Sequence, residues 1–176
     1  LSSVRPYARV YNVGMVTKEA LRIASMKRRS QLSPAQRKLA SLQICQELFG
    51  LIEWSNIQRL NSYKALDSLH EADPKSLLIR LSKDFPNVEI VVSPFKLDAA
   101  HPDGEFDAII VPLVAFDAEC NRIGMGGGWY DAYFAAHPNS LKVGIAYSIQ
   151  EVPVVPVTPL DVPLDMVVTE NNIFKR

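Results

Sequence analysis

Apolar and polar positions alternate with a helical period over residues 17–30, TKEALRIASMKRRS, where Thr17 precedes the run as a cap and Lys27, Arg28 and Arg29 close it. Basic residues there suit the partial negative charge at a helix C-terminus. The next segment carries a stronger start signal. Ser33 stands at the cap, Pro34 at the first helical position, and Gln36 completes a capping box. Its apolar positions, Leu39, Leu42, Cys45, Leu48, Phe49 and Ile52, are expected to form one inward face. Asp73-Pro74 opens a third helix with Leu77, Leu78, Leu81 and Phe85 inward, and a short helix over 130–136 is stopped by His137-Pro138. VEIVV (88–92) and AIIV (108–111) are continuous apolar runs. Such runs suit strands buried on both faces of a parallel sheet. A weaker strand lies within 57–66, and further strands lie at 142–147 and 166–169. Alternating helices and strands predict one α/β domain, with helices flanking a mostly parallel sheet. The proline-rich stretch 152–163 reads as an ordered connection.

Composition narrows the picture. Nineteen basic residues balance nineteen acidic ones, which argues against a general nucleic-acid or membrane-surface binder. Cys45 and Cys120 give neither a metal spacing nor a disulfide framework, so a reduced, cytoplasmic setting is expected. The longest apolar runs fall short of the ~20 residues a membrane helix needs. Residues 1–14 contain Arg5 and Arg9 but no acid and no helical period. They read as an upstream extension before Met15, with 15–176 the single domain; a transit-peptide remnant is the alternative. His70, His101 and His137 lie at turns and read as solvated.

Candidate chemistry concentrates in NRIGMGGGWYDAYF, residues 121–134. Four of the chain's eight glycines, Gly124, Gly126, Gly127 and Gly128, fall within five positions just before a helix. Glycine permits positive φ and close approach of backbone N–H groups to a ligand. Beside a helix N-terminus such a run is an anion cradle. The P-loop pattern is absent, because no Lys-Ser/Thr follows. The dinucleotide pattern fails because Trp129 stands where its third glycine belongs. A phosphate is therefore expected without a kinase-like or dehydrogenase fold. Asp131 beside a polyphosphate calls for a cation, and magnesium held by carboxylates and phosphate oxygens meets that need. Asp165, at the start of the last expected strand, is a second acid; a turn residue there explains it equally.

The stretch AIIVPLVAFDAECNRIGMGGGWYDAYF resembles the signature of the 5-formyltetrahydrofolate cyclo-ligase family, also called 5,10-methenyltetrahydrofolate synthetases. Further matches are KEALR (18–22), HEADPKSLLIRL (70–81), VGIAYSIQ (143–150) and DVPLDMVVTE (161–170). The resemblance implies a three-layer α/β/α sandwich related to sugar-phosphate isomerase and CoA-transferase folds. It implies ATP and magnesium as cofactors, and ring closure of 5-formyltetrahydrofolate to 5,10-methenyltetrahydrofolate. Carried over by residue, Lys18, Arg22, Arg122, Gly124, Met125, Gly126, Gly127, Gly128, Trp129 and Tyr130 are the expected ATP contacts. Arg122 and Asp131 are the expected catalytic pair, and Asp131 with Asp165 the magnesium-associated acids. Glu71, with Trp129 and Tyr130, is expected to hold the folate, together with the Tyr63–Glu71 region and Phe95. A monomer without nucleic-acid or membrane partners is expected. One departure is the connection over 93–106, which is shorter than usual in the family. The residues alone leave open a non-catalytic nucleotide-binding module, or a sugar-phosphate or CoA-type enzyme of related fold.

Overall fold

The structure is a computed structural model that describes residues 16–93 and 100–176. The helix α1 spans Lys18–Ser30, and the Thr17 hydroxyl accepts the Ala20 N–H as its cap. The helix α2 spans Pro34–Leu51 behind the expected Ser33/Gln36 capping box, each side chain bonding the other residue's backbone. The strand β1 (Arg59–Tyr63), helix α3 (Lys75–Asp84) and strands β2 (Glu89–Ser93) and β3 (Ala108–Pro112) follow. A two-strand hairpin, β4 (Ala115–Phe116) with β5 (Arg122–Ile123), leads to helix α4 (Trp129–Ala136). The chain then forms β6 (Leu141–Ile145), β7 (Met166–Val168) and β8 (Ile173–Lys175).

Six strands form one sheet in the order β2-β1-β3-β6-β7-β8, parallel except for β8, which runs against β7. Alternation along β3 separates two cores. Ala108 and Ile110 pack with Ile44, Leu48, Leu77 and Leu81 of α2 and α3. Ile109 and Val111 pack with Tyr133 and Phe134 of α4. The strand order reverses between β1 and β3, and such a switch opens a crevice at the C-terminal ends of the strands. The helix α1 lies over this end, with Leu21 and Met26 against the small cluster of Val114, Ala115, Ile123, Val152 and Val155.

Three expectations change. The buried face of α2 is Ala40, Ser41, Ile44, Cys45 and Leu48, whereas Leu39 and Leu42 are 60% and 46% exposed. With apolar residues on most sides of α2, periodicity alone does not orient it. VEIVV is not buried on both faces: β2 is an edge strand, and Val92 is exposed. His137 is buried rather than solvated, and His101 is half-buried, edge-on to Trp129, tilted against Tyr133 and bonded to the Trp129 carbonyl. These imidazoles fill space beside the aromatic face of α4. The short β4–β5 hairpin and β8 carry too few residues to show a strand period.

Candidate active site

The crevice is a cavity of about 600 Å³ lined from α1, the ends of β1, β2 and β3, the β5–α4 loop, and Thr158 to Asp161. At one end stands the glycine loop. Gly126 has φ +98° and Gly128 +67°, the left-handed region that a Cβ makes costly. A Cβ on Gly126 would meet the Arg22 guanidinium at 3.3 Å. Arg22 is held there by Nε, which donates to the Gly124 carbonyl at 2.8 Å, and by Glu19 one turn earlier. Lys18, also on α1, pairs with Asp161. Burial opposes the Asp161 charge, but hydrogen bonds from Lys18 and Thr158 hold its carboxyl below the usual range. The positions of Lys18 and Arg22 show why they share a site: residues four apart lie on one helix face, and that face looks into the cavity.

Arg122 is buried and donates through Nη2 to Asp131 Oδ1 at 2.8 Å. The same oxygen accepts the Val162 N–H. Desolvation pulls the guanidinium below its ordinary value and Asp131 opposes that pull. The Arg122 Nε atom has no hydrogen-bond partner among the described residues.

At the other end lie Tyr63, Arg29 and Glu71. The Tyr63 hydroxyl donates to the Ala72 carbonyl. Glu71, 8% exposed, accepts the Leu66 N–H through Oε2 at 2.9 Å. Burial pushes its carboxyl up, against that hydrogen bond and the charge of Arg29. Tyr130 stands between the two ends: burial raises its phenol, the Glu71 charge adds to this, and Arg122 opposes it.

The structure therefore brings Lys18, Arg22, Glu71, Arg122, Gly124, Met125, Gly126, Gly127, Gly128, Trp129, Tyr130 and Asp131 to one cavity. It does not bring Asp165 there. Asp165 precedes β7 and accepts the Lys142 N–H at the start of β6, the N-terminal edge of the sheet. Asp131 and Asp165 are thus not brought together: Asp131 opens α4 beside the cavity, and Asp165 stands at the start of β7 on the opposite edge of the sheet. Phe95 lies outside the described residues. The reading by residue missed Arg29, whose place in a basic helix end looked like dipole chemistry. It also missed Asp161, four residues before the acid it selected. Their signals were present, in the Arg28-Arg29 pair and in DVPLD.

Residues 90–170 match the 5-formyltetrahydrofolate cyclo-ligase family. The chain is 30% identical over 178 residues to the 5-formyltetrahydrofolate cyclo-ligase of Haemophilus influenzae, covering 84% of this chain and 94% of that one. Two solved structures share its architecture. The 5,10-methenyltetrahydrofolate synthetase of Mycoplasma pneumoniae superposes with a TM-score of 0.74 at 25% identity, over 87% of this chain and 98% of that one. That of Aquifex aeolicus gives 0.72 at 28% identity, over 92% and 93%. With a near-full-length relative, a matching fold and the signature loop at the cavity, the chain belongs to the 5-formyltetrahydrofolate cyclo-ligase family.

Proposed function

We propose that the protein closes 5-formyltetrahydrofolate to 5,10-methenyltetrahydrofolate in an ATP-dependent reaction. The observation that carries this reading is one cavity that gathers the glycine loop and the cations Lys18 and Arg22 with Tyr63, Tyr130 and the Glu71 carboxylate. That arrangement suits a phosphate donor and a pterin held against each other. Bound ATP supplies a phosphoryl group that turns the formyl oxygen into a leaving group, so that ring closure by the neighbouring nitrogen releases phosphate.

The chain's share is positioning and charge stabilisation. Lys18, Arg22 and the backbone from Gly124 to Gly128 offset negative charge on phosphoryl oxygens. Met125, Trp129 and Tyr130 line the same cavity and give it apolar surface. Arg122 sits beside the Tyr130 ring, oriented by Asp131. Glu71 accepts hydrogen bonds from the pterin, and no nucleophilic side chain is needed.

Two tests of fit apply. The positive φ angles and the two α1 cations suit an anion. Magnesium fits less simply: among the described residues no three His, Cys, Asp or Glu cluster around a common point. Asp131 and Asp161 both line the cavity. We assign magnesium to phosphate-borne binding, near these acids and away from Asp165; this ion normally keeps waters and takes one or two carboxylates.

We assign the site to a single subunit, since residues of one chain supply the glycine loop, Lys18, Arg22, Glu71 and Arg122. Both cysteines are free and buried, which supports a reducing cytoplasm. No helix of the described residues is long and apolar enough to cross a membrane. The test is incubation with 5-formyltetrahydrofolate and Mg-ATP, following methenyl absorbance and ADP together. Matched formation of both is expected. ATP binding without methenyl product at saturating folate overturns the reading in favour of a non-catalytic nucleotide-binding module.

A further inference from the structure

Arg29 is 2% exposed, yet it lines the cavity. Among the described residues its side chain makes one hydrogen bond, from Nη1 to the Leu113 carbonyl at 2.9 Å, and no ion pair; Nε is buried with no partner. Arg122, the other buried arginine of the cavity, has Asp131 at 2.8 Å. A buried guanidinium left without a counter-ion is costly, because burial removes hydration that nothing replaces. Nor does the fold need its hydrogen bond. The Leu113 carbonyl is also satisfied by Gln150 Nε2.

The carboxylate that lines the same cavity and whose charge favours the guanidinium is Glu71, whose Oε2 accepts the Leu66 N–H and whose Oε1 has no hydrogen bond from the described residues. The cavity thus holds an unused donor, Arg29 Nη2, which no described residue accepts from and which is not among the buried unpartnered atoms, and an unused acceptor, Glu71 Oε1. That pair matches a ligand edge on which an N–H stands next to a carbonyl. A 4-oxo pterin carries this edge, with its ring N–H and exocyclic amine as donors and its ring carbonyl as acceptor. We propose that Arg29 is a specificity-determining residue that donates to the ring carbonyl of the pterin, while Glu71 accepts from the adjacent N–H groups. This rests on the folate reading above. It adds a basis for choosing a 4-oxo over a 4-amino ring, because a 4-amino group presents a donor to Arg29.

The experiment measures binding of two probes to the full chain by calorimetry: 5-formyltetrahydrofolate and its 4-amino-4-deoxy counterpart. In Arg29→Met, affinity for the 4-oxo compound should fall about 30-fold, the scale of one hydrogen bond from a charged group. The ratio of the two dissociation constants should shift at least about 10-fold towards the 4-amino compound. Affinity for ATP should be unchanged, and the melting temperature should not fall, since a well-packed apolar residue replaces an unpaired buried charge. Arg29→Lys, which keeps a donor, should retain part of the discrimination. An unchanged ratio beside normal wild-type turnover overturns the inference alone. Equal weakening of both probes with a lower melting temperature marks a structural role and also overturns it, as does a loss confined to ATP. Wild type that binds no 5-formyltetrahydrofolate brings down the proposed function as well.

Discussion

At the N-terminal edge of the parallel strands, Asp107 Oδ2 accepts the Gln58 and Arg59 N–H groups, and Asp165 Oδ2 accepts the Lys142 N–H. These carboxylates tie strand starts together through the backbone. At the C-terminal edge, Glu71, Asp131 and Asp161 line a cavity and face arginine or lysine side chains. Strand direction alone separates the two groups. Entering strands present N–H groups that a carboxylate can cap, whereas leaving strands open into loops that can surround a ligand. An aspartate's chemistry in this fold is therefore set by the edge it occupies.

The cavity edge should show the largest effects. Gly126→Val should abolish measurable ATP binding in a folded protein, because a Cβ at positive φ costs about 1–2 kcal/mol and would also displace Arg22. Calorimetry showing wild-type ATP affinity would mean that the loop does not hold phosphate. Asp131→Asn should cut turnover at least ~10²-fold, the scale of one electrostatic contributor. It should also cost about 3 kcal/mol of stability, since Arg122 is left buried without its counter-charge. Denaturant melts and steady-state rates on the same samples check both. Unaltered activity and magnesium dependence would reduce Asp131 to a helix-start residue.

The N-terminal edge should answer differently. Asp165→Ala orphans the Lys142 N–H, so stability should fall by about 1–3 kcal/mol while kcat/KM at 25 °C stays within ~2-fold, as expected for a site away from the transition state. A ~10²-fold loss of activity, or a changed magnesium dependence, would erase the distinction between the edges.

Much of this edge logic was legible in the sequence, and part of it went unread. The caps Thr17 and Ser33, the loop from Gly124 to Gly128 and the five parallel strands declare themselves through local chemistry. Asp165 immediately precedes a parallel strand, which by itself assigns it to the N-terminal edge. Asp161 lies farther upstream, within a loop, and only the folded chain shows it reaching Lys18. Arg29 was hidden for another reason. A basic helix end is usually solvated, and the hydrogen bond that holds Arg29 inside goes to the Leu113 carbonyl, 84 residues away in the chain. The face of α2 is legible only in part, at Cys45 and Leu48, because Leu39, Leu42 and Ile44 are equally apolar in the sequence.

The smallest effect is expected at Glu71, and its sign distinguishes a ligand-facing carboxylate from a backbone-capping one. Burial holds the Glu71 carboxyl above the ordinary 4.5, with the Leu66 N–H and Arg29 pulling the other way. A raised folded value means that the folded state binds the proton more tightly. The resulting stability is fully present below 4.5 and is lost as pH rises through the folded value. At pH 8 the charged carboxylate is therefore a net cost that Glu71→Gln removes, while the amide oxygen can still accept the Leu66 N–H. The variant should melt higher than wild type at pH 8, and the difference should close on acidification through that window. Its KM for 5-formyltetrahydrofolate should nevertheless rise about 5-fold, the scale of one hydrogen bond, with KM for ATP unmoved. A gain in stability bought with weaker folate binding is the mark of a residue kept for its ligand. If Glu71→Gln instead melts lower at pH 8 with unchanged KM, Glu71 belongs with Asp107 and Asp165 as a structural carboxylate, and the division by sheet edge fails at its most informative position.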